Sequence, residues 1–78
     1  MRVEEFIPGT GNKLKADAID TVNRVIYELK PLSNRAMMRG IAQLKDYAAA
    51  AAQVPEWNIP PADGSALAPW RTVLVYYQ

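Results

Sequence analysis

Between Lys13 and Leu29 the apolar residues Leu14, Ala18, Val22, Val25, Ile26 and Leu29 recur at three- and four-residue intervals. Spacings of three and four residues place such a set on one side of a helix. Asn12 stands where a side chain can cap the first amides. Asp20, Arg24 and Glu28 follow at i, i+4 on the other side, as solvated pairs of about 0.3 kcal/mol each. The pattern predicts a helix over 13–29, ended by Lys30 and Pro31 because proline removes an amide and pushes the preceding residue out of the helical region.

A second helix is expected over 34–53, capped by Ser33, with Met37, Ile41, Leu44, Ala48 and Ala51 as its inward stripe. So short a connection makes the two helices antiparallel neighbours. Gly40 inside the second helix costs ~1 kcal/mol relative to alanine and marks a close backbone crossing or a surface defect.

The two ends of the chain have strand character. Residues 2–7 (RVEEFI) run into Pro8 and Gly9, and 71–77 (RTVLVYY) carry the strongest β signal. Between the second helix and the last strand, 54–70 hold four of the prolines and no period, but also Trp57, Ile59, Leu67 and Trp70. The expected architecture is α+β, a single small domain of β-α-α-β order. An antiparallel helical hairpin packs on a small sheet formed by the N- and C-terminal strands.

Composition narrows the function classes. The 78 residues contain no Cys and no His, which removes thiolate metal sites, disulfides and the usual neutral-pH general base together. The adjacent carboxylates Glu4 and Glu5 point to opposite faces of a strand, so no catalytic residue is assigned and no cofactor or metal is expected. Gly9 to Lys13 (GTGNK) lacks the spacing of a phosphate-binding loop. With 9 Lys+Arg against 8 Asp+Glu, no overall field favours nucleic acid, which is an unlikely partner on this reading. No apolar run is long enough to span a membrane. The expected location is soluble and intracellular, in a host cytoplasm or a virion.

By elimination the expected function is non-enzymatic protein binding, by a small self-associating structural or accessory subunit of a phage-type assembly. The last strand is apolar on both sides, and two strands with one helical layer leave a face uncovered. On this reading Val73, Val75 and Tyr77 make sheet contacts between copies and Trp57 docks onto the next copy, while Trp70, which adjoins the strand, closes over the chain's own core. The alternative is a monomeric inhibitor or adaptor that blocks a host protein complex. Arg35 and Arg39, on one helical face, are then the anchors. A nucleic-acid-binding helical hairpin is a third class.

Overall fold

A computed structural model describes residues 1–77. Four strands, β1 (Arg2–Phe6), β2 (Lys15–Asp20), β3 (Val25–Pro31) and β4 (Arg71–Tyr77), form one sheet in the order β1-β2-β3-β4, and one helix, α1 (Asn34–Ala51), crosses from β3 to β4. The first three strands are antiparallel neighbours, and β4 joins β3 in parallel.

This corrects the expected helical hairpin. The segment 13–29 is not a helix but the second strand, a turn and the third strand. Its apparent helical stripe arises from two short strands read through their turn. Val22, at the centre of that stripe, sits at the hairpin tip and is 87% exposed. Thr21, Val22, Val25 and Ile26 are β-branched, which disfavours helix and suits a pleated surface. Asp20 fixes the turn: its carboxylate accepts from the amides of Val22 and Asn23 and from the Asn23 side chain, and Arg24 takes the left-handed conformation that brings β3 back, at φ 59°. Asn12 likewise caps no helix. With φ 60° it belongs to the turn after β1, beside Gly9 and Gly11, which also have positive φ. The terminal strands do not pair with one another, because β1 and β4 occupy opposite edges of the sheet.

Helix α1 starts behind Ser33, whose hydroxyl accepts from the Ala36 amide at 3.1 Å. It packs chiefly on β3 and β4. Ile19 and Ile26, a cross-strand pair, meet Leu44, Tyr47 and Ala51 of α1, with Ile7, Val54 and Trp57 closing the core. Trp57 lies in a short 3-10 turn (Pro55–Trp57) after the helix, 6.1 Å from Trp70 between ring centroids. Asn58 ties this corner together, donating to the Ala51 and Val54 carbonyls and accepting from the Trp70 indole. The opposite face of the sheet has no covering layer among the described residues, and Val3, Leu29, Val73, Val75 and Tyr77 are exposed. No helix is long and apolar enough to cross a membrane among the described residues.

Candidate active site

The hairpin brings together residues that lie far apart in a helical reading. Asp17 on β2 and Glu28 on β3 are eleven positions apart in sequence, yet their carboxyl groups interact directly. Asp17 sits at a break in the sheet. Pairing with β1 runs Arg2 to Ile19 and Val3 to Ala18, passes over Asp17, and resumes with Glu5 to Ala16, while pairing with β3 ends at Ala18 and Tyr27. Glu4, opposite the gap, has φ 47°. The break frees the Leu29 amide from the ladder, and Asp17 Oδ2 accepts it at 2.6 Å. That bond holds the Asp17 carboxylate against β3, beside Glu28.

Glu28 is 4% exposed, the one charged side chain in the buried set. Its Oε2 has no hydrogen-bond partner among the described residues. Burial, and then the neighbouring Asp17 carboxyl, push Glu28 up to about 7, against the opposing pull of Lys30 and the Tyr47 hydroxyl. Asp17 moves down, first through its hydrogen bond with Glu28 and also through the Leu29 amide and the charges of Lys30 and Lys15. Tyr47, buried and facing Glu28, is pushed up to about 12 and stays a phenol donor at neutral pH. Lys30 follows Glu28 by two positions on β3, so both side chains share the helix-facing side. Its stem runs beside Gly40 of α1, where a methyl group would stand 3.1 Å from Lys30 Cγ.

Two carboxyls, one lysine and a phenol therefore converge where α1 meets β2 and β3. No enclosed pocket is present among the described residues. Asp17 and Lys30 are half-buried, while Glu28 and Tyr47 are buried. Two hard oxygen-donor groups, one of them with an unpartnered buried oxygen, suit Mg2+ or a similar divalent cation, which takes one or two carboxylates and keeps much of its water.

The residues singled out from sequence lie elsewhere. Trp57 is buried in the chain's own core and Trp70 packs beside it. Val73, Val75 and Tyr77 line the uncovered face of β4, while Arg35 and Arg39 are exposed on α1. These seven do not converge on one place. Asp17, Glu28 and Lys30 were missed because the helical reading set Glu28 on a solvated face. The signal that finds them is Glu28-Leu29-Lys30 on a β-branched strand, with an aspartate on the strand before it.

A mixed sheet crossed by one helix, with an acidic pair and a lysine on its two central strands, has the architecture of the restriction endonuclease-like class. A family model described as restriction endonuclease fold toxin 9 matches residues 3–77, and the chain belongs to that family. No curated protein and no solved structure matches it. Family membership corrects three expectations. A non-enzymatic phage-type subunit, inhibitor or adaptor gives way to a family that points to a nuclease, the absence of enzyme chemistry no longer stands, and nucleic acid becomes the indicated partner class in place of a protein surface.

Proposed function

We propose that this chain is a nuclease toxin domain that hydrolyses phosphodiester bonds in DNA with the help of a divalent cation. The observation that carries the reading is the convergence of Asp17, Glu28 and Lys30 at the break between β2 and β3. The family description supports the substrate class and the toxic role.

Asp17 and Glu28 would hold the cation, and the chemistry it supplies when bound is Lewis-acid stabilisation of charge on the phosphate oxygens. The Lys30 ammonium, fixed by its stem against α1, orients the scissile phosphate through a non-bridging oxygen and offsets the charge that builds there. The Tyr47 phenol, beside Glu28, would steady that carboxyl as it holds the cation. Overall, a water oxygen bonds to phosphorus, one P–O ester bond breaks, and the water's protons are shared between the departing alkoxide and solvent.

The test is cleavage of supercoiled plasmid by purified protein with Mg2+ or with a chelator. Wild type is expected to nick DNA only with the cation. Asp17→Asn, Glu28→Gln and Lys30→Met should each lower the rate by about two orders of magnitude or more. Wild-type activity in all three variants would move the site elsewhere.

A further inference from the structure

The two edges of the sheet are built differently. At one edge β1 carries Arg2, Glu4 and Glu5, and its ladder is interrupted where Glu4 takes φ 47°. Charges and a local kink of this kind keep an edge from pairing with another chain. At the other edge, β4 has no proline, glycine or acid in its seven residues. Its pairing with β3 runs unbroken from Arg71 to Tyr77, and among the described residues no strand lies beyond it. The Arg71 amide and the Tyr77 carbonyl point inward, to Arg24 and Leu32. Alternation along the strand then turns the backbone groups of Thr72, Leu74 and Tyr76 outward. Helix α1 repeats the contrast. Gly40 lies over Lys30 and Leu74, and Tyr47 faces Glu28. With the right-handed crossover that joins parallel neighbours, the residue after Gly40 turns to the flank above the outer edge of β4. That residue is Ile41, and it is 58% exposed.

We propose that β4 and this flank of α1 form the contact between two copies of the chain, paired antiparallel about a two-fold axis through Leu74 and perpendicular to the sheet. The inference stands apart from the nuclease reading. The strand is complementary to itself in this register. Thr72 lies opposite Tyr76 of the second copy and Leu74 opposite its counterpart, and such outward-facing residues exchange both hydrogen bonds of each pair. On the uncovered face Val73 meets Val75 of the second copy, a β-branched pair, and Arg71 meets Tyr77, a cation beside an aromatic ring. Both helices lie on one face of the joined sheet. Since α1 sits over β3 and β4, a strand spacing of about 4.8 Å sets the two helices about 10 Å apart, a normal packing distance. Gly40 lies over Leu74, so Ile41 of each helix falls beside the axis and covers its counterpart. A second copy thus satisfies the edge backbone and the apolar flank together, whereas an added single strand satisfies only the first.

The experiment is the solution mass of the full chain by light scattering over roughly a hundredfold range of concentration, with circular dichroism melts to establish that each variant is folded. Wild type is expected to become a dimer as concentration rises. Thr72→Pro removes an outward amide and leaves the ladder to β3 intact, and it should weaken association by about 10- to 100-fold. Ile41→Lys, at an exposed helix position, should weaken it at least about tenfold. Because the chain has no cysteine, register is read by mixing Val73→Cys and Val75→Cys chains. Oxidation should link the mixture and leave either variant alone largely unlinked. Should Thr72→Pro fail to fold, this cross-link decides, and its absence overturns the register. A wild type that stays monomeric overturns the proposal and leaves the edge to a strand of a different protein. A dimer that survives both Thr72→Pro and Ile41→Lys uses another surface, which also overturns it.

Discussion

Glu28 concentrates the cost of this site. A carboxyl that is 4% exposed and faces a second carboxyl holds its proton more tightly folded than unfolded. Its folded value is about 7 against an ordinary 4.5, so between those pH values the folded chain carries more protons than the unfolded chain. Stability from this group is fully present below about pH 4.5 and is lost as pH rises through about 7. Asp17, shifted down, acts the other way only at lower pH, where its stability is lost as the medium is acidified. In the absence of divalent cations, the unfolding free energy should therefore fall between pH 4.5 and 7.5, by less than about 3 kcal/mol at ~1.4 kcal/mol per unit. Urea titrations across that range should show the slope in wild type and its disappearance in Glu28→Gln. A flat wild-type profile would mean that Glu28 ionises freely and that the acidic pair is looser than described.

At the scale of elements, the helix is a template for the lysine. Ser33 fixes where α1 starts, and the start sets the register with which Gly40 meets β3 and β4. A methyl at Gly40 would approach Leu74 Cδ1 to 2.8 Å and Lys30 Cγ to 3.1 Å. The leucine tip can turn aside, but the lysine stem must shift by a few tenths of an ångström. Gly40→Ala gains helix propensity of ~1 kcal/mol and spends part of it on crowding. The melting temperature should thus change little, while cleavage falls by ~10-fold through the displaced ammonium. Comparing plasmid nicking with the thermal melt separates the two effects, and an unchanged rate would show that Lys30 tolerates the shift.

On the scale of the molecule, one residue clamps the long arm and the start of the parallel strand to the β2–β3 turn. Arg24 donates to the Ala68 carbonyl at 2.6 Å and to the Trp57 carbonyl at 3.1 Å, and its guanidinium stacks 5.1 Å from the Trp70 ring. Its own carbonyl accepts the Arg71 amide at 2.8 Å, where β4 begins. The β2–β3 turn, the tryptophan corner and the start of β4 are thereby joined. Arg24→Ala should destabilise the fold by about 2 kcal/mol, from two charge-assisted bonds and a cation–π contact discounted for partial exposure. Denaturant unfolding followed by tryptophan fluorescence measures the loss. A change below about 0.5 kcal/mol would reduce the clamp to an incidental surface contact.

Local chemistry made several elements legible in the sequence: the start of α1 behind Ser33, the β-branched run of β4, and the short strand before Pro8 and Gly9. These depend on capping, propensity and turn residues within a few positions of one another. The segment 13–29 did not reveal itself, because the spacings of two strands joined through a turn imitate a helical stripe, and only the Asp20 bonds and the pairing of Ile19 with Ile26 decide between the two. The same misreading hid the site. Asp17 and Glu28 become neighbours only when β2 and β3 pair side by side, and Glu28 becomes a buried, proton-retaining acid only when α1 closes over β3. Proximity across a sheet and burial under a helix are properties of the folded chain, so the acids were visible as residues while the tertiary structure alone made them a pair.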